Sequence, residues 1–156
     1  MTKYIKSHRD QKVRPLVVKS LSQGCTILEI DVQQACGTLV LGHNWRPKLP
    51  FLFDCTLKEY LDDLVQISPP GQIYVQLDIK EILYTNSARK KFANDIVNLL
   101  YDYKQFIVPL VSANDGLGRP ETMQAVYNIL VGSGWNVPKW IDWKIDKDIT
   151  VVDLWK

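Results

Sequence analysis

Segments with the two-residue period of a strand alternate along this chain with segments of helical period, and that alternation restricts the fold more than any other feature. A β-like stretch near Tyr4-Ile5 leads into a helical pattern with Val13, Leu16, Val17 and Leu21 on one face, closed by Gly24 as its C-cap. A strand over residues 26–33 follows, then a short extended piece at 38–41. Thr56-x-x-Glu59 has the form of a capping box and opens a helix whose buried stripe is Leu57, Tyr60, Leu61, Leu64 and Val65. A strand at 72–80 precedes a third helix at 87–104, with Phe92, Ile96, Leu99, Leu100 and Tyr103 facing the core. Residues 106–112 read as a buried strand. Pro120 opens a fourth helix carrying Val126, Ile129 and Leu130, Gly132-Ser133-Gly134 ends it, and 149–154 is the last strand.

Parallel neighbours in a sheet need a crossover helix between them, so the pattern predicts an α/β fold: a mainly parallel sheet with crossover helices. A complete (β/α)₈ barrel takes about 250 residues. With 156 residues the chain supplies only about five of the eight units, which predicts a partial or shortened TIM-type barrel, an open sheet, or a piece completed by a partner. An apolar fraction of 46% is ample for one core, so residues 1–156 are expected to form a single domain. An unpaired sheet edge would favour a homodimer.

Composition narrows the function. The net charge of +2 comes from interleaved acidic and basic residues, which offers no one-sided basic surface for nucleic acid. Met1-Thr2-Lys3-Tyr4 runs straight into polar residues rather than a signal-peptide core, and no stretch approaches the roughly 20 apolar residues of a membrane span, so a cytoplasmic protein is expected. Cys25, Cys36 and Cys55 lack CxxC spacing and read as reduced thiols. Ser68-Pro69-Pro70-Gly71 reads as a turn, and so does Asn114-Asp115-Gly116-Leu117-Gly118-Arg119, which fits neither a P-loop nor a dinucleotide fingerprint. Trp135, Trp140, Trp143 and Trp155 crowd the tail, either covering an incomplete core or forming a peripheral contact with a lipid interface.

The chemistry is carried by Ile27-Leu28-Glu29-Ile30-Asp31-Val32, where strand alternation puts two carboxylates on one side of an otherwise apolar strand. Adjacent like charges out of water need cations or hydrogen-bonding partners. The strand at 72–80 repeats the anomaly, with Gln76, Asp78 and Lys80 opposite Val75, Leu77 and Ile79. Glu29, Asp31 and Asp78 are candidate oxygen ligands for a hard divalent ion such as Mg²⁺ or Ca²⁺. Neighbouring lysines or arginines are the alternative partners, and Lys80 stands ready to pair with Asp78. The two histidines, His8 and His43, follow strand-like segments, as residues at the carboxyl edge of a sheet do. Two imidazoles near a metal suit acid–base cleavage of a phosphodiester, with Arg9 and Lys80 neutralising phosphoryl charge.

The order His8-Arg9, Glu29-Ile30-Asp31, His43 and Gln76-Leu77-Asp78-Ile79-Lys80 resembles the phospholipase-C-like phosphodiesterase superfamily over about the first half of the chain. It is similar to the glycerophosphodiester phosphodiesterases, with spacing closer to the sphingomyelinase-D-like and phosphatidylinositol-phospholipase-C-like members. The resemblance implies a TIM-type barrel, His8 and His43 as base and acid, Glu29 and Asp31 as metal ligands joined by Asp78, and Lys80 in an Asp-x-Lys version of a Glu-x-Lys ending. The implied function is metal-dependent cleavage of a phospholipid headgroup or a small phosphodiester. The competing expectation is a catalytically silent binding protein on a shortened barrel.

Overall fold

The computed structural model describes residues 4–12, 16–68, 73–114, 117–138 and 149–156. Seven strands form one sheet, and its parallel part runs β7-β1-β2-β5-β6: β1 (Tyr4–Ser7), β2 (Ile27–Ala35), β5 (Ile73–Ile79), β6 (Ile107–Ala113) and β7 (Ile149–Val152). The sheet is open, because β6 pairs only with β5 and β7 only with β1 among the described residues. Five parallel strands is the number that chain length predicts. The helices are α1 (Leu16–Ser22), α2 (Leu57–Ile67), α3 (Asn86–Leu100) and α4 (Arg119–Gly132).

Local chemistry explains most of the boundaries. The capping box of α2 is made in full: Glu59 N–H donates to the Thr56 hydroxyl at 3.1 Å, and Thr56 N–H donates to the Glu59 carboxylate at 2.8 Å. Gly24, at φ +79°, follows α1 in the left-handed conformation expected of its C-cap. Helix α3 starts one residue before the sequence pattern, since Thr85 caps it by accepting from Ala88 N–H. It stops at Leu100, where a single 3₁₀ turn, Tyr101–Tyr103, replaces the predicted last turn.

The extended piece after β2 proves to be half of a hairpin. Strand β2 runs on to Ala35 and turns through Cys36 and Gly37, at φ +49° and +77°, into the antiparallel β3 (Thr38–Leu41). Positive φ at both central residues gives the turn whose twist matches its strands. The two-residue β4 (Cys55–Thr56) adds to β3, and residues 42–54 loop between them above the sheet.

One sheet face packs on the helices. Leu28, Ile30, Val32, Val75, Leu77 and Ile79 join Leu57, Leu61, Leu64, Phe92, Ile96, Val126 and Leu130 in the main core. Trp135 is in that core as well, which answers to the covering role expected of the tail aromatics. Val13, the turn residues Pro69, Pro70 and Gly71, the strand start at Gln72, the loop residues Asp115 and Gly116, and Trp140 and Trp143 lie outside the described residues. No described helix is long and apolar enough to cross a membrane.

Candidate active site

Alternation in β2 and β5 turns their other face into a charged interior. Glu29 pairs in register with Gln76 and Asp31 with Asp78, so the two acids of β2 lie beside the polar residues of β5. Glu29, Asp31, Asp78 and Lys80 are all buried. Burial of this kind demands partners, and the structure supplies them across four parallel strands. Lys6 on β1 reaches Glu29 at 2.7 Å and donates to the Gln76 carbonyl at 3.3 Å. The Gln76 amide donates to the Ser112 hydroxyl at 2.9 Å, which donates to Asp78 at 3.1 Å. Lys80 then bridges Asp78 at 2.7 Å and Asp31 at 3.7 Å.

Both histidines rise above this layer at the carboxyl ends of the strands. His8, just past β1, sets Nε2 3.4 Å from Glu29 and Nδ1 2.8 Å from Asp153. Asp153 arrives because β7 pairs with β1, and His8 N–H donates to the Val152 carbonyl. His43, one residue past the Gly42 N–H that bonds the Asp31 carbonyl, has Nδ1 3.6 Å from Asp31. The Arg9 guanidinium donates to His43 Nε2 at 2.9 Å. Since arginine stays protonated, Nε2 must be the acceptor nitrogen of a neutral ring. Burial lowers the His43 pKa below the ordinary histidine value; Asp31 opposes the shift, while Arg9 and Lys80 reinforce it.

The turn that presents His8 and Arg9 is held from below. Arg9 adopts φ +54°, a strained conformation for a residue with a side chain. Asp10, fully buried, accepts from Ser7 at 2.7 Å, from Tyr60 at 2.5 Å and from Ser20, while its N–H bonds the Glu29 carbonyl at 2.8 Å. Burial raises the Asp10 pKa, and the three hydroxyl bonds pull it partly back. Gln11 donates to Asp31 Oδ2 at 2.9 Å. Trp155 packs beside the turn, with the Arg9, Lys12 and Lys156 cations 5.6–5.7 Å from its ring.

Thus His8, Arg9, Glu29, Asp31, His43, Asp78 and Lys80, drawn from the full length of the sequence motif, converge at one sheet edge. The contributors that sequence reasoning passed over are Lys6, Asp10, Gln11, Ser112 and Asp153. Lys6 opens a polar stretch of sequence, and only strand pairing reveals that it is buried against Glu29.

The donor set fits a hard cation. Glu29, Asp31 and Asp78 each offer a carboxylate oxygen within 4.8 Å of the others. Ligands about 2.3–2.6 Å from a shared ion can be separated by up to about 5 Å. Asp31 Oδ1 is moreover buried without a hydrogen-bond partner, and so is His43 Nδ1. Beside the acids opens a cavity of about 310 Å³ lined by His43, Lys80, Trp45, Tyr84, Lys48 and Arg119, among others.

Comparison with solved structures identifies the architecture. A protein from Silicibacter pomeroyi DSS-3 assigned as a glycerophosphoryl diester phosphodiesterase superposes with a TM-score of 0.66 over 94% of this chain and 68% of its own, at 14% identity. The glycerophosphodiester phosphodiesterase from Agrobacterium tumefaciens str. C58 gives 0.57 over 83% of this chain and 64% of its own, at 16% identity. The fold is similar to that of these two structures, with the sheet left open among the described residues. It agrees with the resemblance drawn from the motif residues, although the chain spans only about two thirds of the length of either structure. No protein-family model matches the sequence, and no curated protein matches it.

Proposed function

We propose that the chain is a metal-dependent phosphodiesterase acting on a phospholipid headgroup or a small phosphodiester. The observation that carries this reading is the meeting of two histidines, three carboxylates and two cations at the carboxyl ends of the strands, beside a cavity. Glu29, Asp31 and Asp78 would hold the divalent ion, Mg²⁺ or Ca²⁺. When bound, that ion would polarise a phosphoryl oxygen and stabilise the charge that develops on it.

The protein's own groups do the rest. His43, whose Nε2 accepts from Arg9 and whose Nδ1 lies 3.6 Å from Asp31, is the candidate acid for the leaving oxygen. His8, held between Glu29 and Asp153, is the candidate base for the attacking hydroxyl. Arg9 and Lys80 oppose the negative charge of the phosphoryl group.

A peripheral membrane contact fits the same edge, at the loop 42–54 rather than the tail. Trp45, which lines the cavity, is 79% exposed, and Phe51, in the same loop with the exposed Leu49 and Leu52, is 78% exposed. Arg9, bonded to His43, and Arg119, which lines the cavity, have no carboxylate partner among the described residues. An anionic lipid surface complements that combination of aromatic and cationic groups. The open edges of β6 and β7 likewise support a homodimer in which two partial barrels cover each other.

The second reading is a catalytically silent binding protein, favoured by one observation: Lys6 and Lys80 already neutralise two of the three acids. Hydrolysis of bis(p-nitrophenyl) phosphate by the purified chain separates the two. Turnover that falls about 10²–10⁴-fold in His8→Ala and in His43→Ala, the range for losing a general acid or base, supports the enzyme. No turnover with any divalent ion supports the silent scaffold.

A further inference from the structure

Lys6 is the one member of the charged layer that the proposed reaction does not use. Its side chain is 1% exposed and ranks among the largest fully buried side chains of the molecule. Its ammonium lies 2.7 Å from Glu29 Oε2, while the other oxygen of Glu29 faces His8. Gln76 gives Lys6 a second contact at 3.3 Å, which fixes the ammonium on the side of the acidic cluster toward β1.

An ammonium at that distance from a carboxylate takes the place of a cation. Three buried carboxylates without it would repel one another strongly. With Lys6 and Lys80 present, the cluster retains a single formal negative charge. The same ammonium must weaken an incoming divalent ion, through direct repulsion and through its hold on Glu29.

We propose that Lys6 is a resident counter-cation that competes with the divalent metal for Glu29, so that the site binds its ion weakly and reversibly. This rests on the reading of Glu29, Asp31 and Asp78 as metal ligands. It predicts a chain that is stable without metal and takes up the ion only at high free concentration. Lys6 acts here as a positioning residue for Glu29, and it touches no reacting atom.

The test is calorimetric titration of the metal-free full chain with Mg²⁺, Ca²⁺ and Mn²⁺ separately, comparing wild type with Lys6→Met and Lys6→Gln. The second variant keeps a hydrogen-bonding group beside Glu29 and Gln76 and guards against misfolding of the first. Removing a charge this close should tighten metal binding by about tenfold or more. Thermal midpoints should agree, with added metal raising those of the variants by several degrees more than that of wild type. Wild-type binding with equal or weaker affinity in both variants would overturn the competition and leave the metal reading intact. Absence of binding in all three proteins would overturn both.

Discussion

At the scale of single residues, the site depends on groups that hold other groups in place. Asp10 carries the turn that bears His8 and Arg9, and it does so as a buried acid whose pKa lies above the ordinary aspartate value. A carboxyl with a raised folded-state pKa contributes stability fully present below the unfolded value and lost as pH rises through the folded one. Urea unfolding of wild type and Asp10→Asn should therefore show the variant gaining on wild type between about pH 4 and the folded-state pKa, with a constant difference above it. Tyr60→Phe removes a hydroxyl that donates to Asp10 at 2.5 Å and should cost about 1–3 kcal/mol in the same measurement. The seven candidate residues were legible in the sequence because strand alternation made Glu29, Asp31 and Asp78 chemically conspicuous. Lys6, Asp153 and Ser112 were not, because each enters through pairing of distant strands, and Lys6, taken by itself, is an ordinary lysine among polar neighbours.

At the scale of elements, the strands fix the site's floor and the loops above them shape its mouth. Helix caps written into local sequence were readable: Thr56 and Glu59 form the predicted box, and Thr56→Ala should lower stability by about 1 kcal/mol in urea. The β2–β3 hairpin escaped notice because its turn is Cys36-Gly37, whereas the usual signal for that geometry is Asn-Gly or Asp-Gly. Gly118 shows a constraint that only packing reveals. It sits at φ +76°, and an added Cβ would come within 2.6 Å of the Leu83 carbonyl oxygen. Gly118→Ala should destabilise by about 2 kcal/mol or more, since strain and clash act together. The loop 42–54 makes a separate prediction. Phe51→Ser should reduce co-sedimentation with phosphatidylglycerol vesicles while leaving hydrolysis of a soluble phosphodiester unchanged, and unaltered vesicle binding would exclude this loop as the contact.

At the scale of the whole molecule, five parallel strands carry the site, in a chain that spans about two thirds of the length of the similar structures. Length and periodicity were enough to foresee a mainly parallel sheet that does not close into a full barrel, because each strand and crossover helix occupies a known span of sequence. The return of β7 to β1 was not foreseeable from periodicity, although it delivers Asp153 to His8 and Trp155 to Arg9. Among the described residues β6 and β7 each pair on one side only; the proposed homodimer requires twice the monomer mass in sedimentation equilibrium, and a monomer at all concentrations would exclude it. What binds these scales together is the claim that the acids at the centre hold a catalytic metal. Its most direct test is the rate of phosphodiester hydrolysis before chelation, after it, and on return of a divalent ion, in wild type and in Glu29→Ala. Activity should disappear on chelation, return with the ion and be absent from the variant. Hydrolysis indifferent to chelation, or equal in Glu29→Ala, would contradict it.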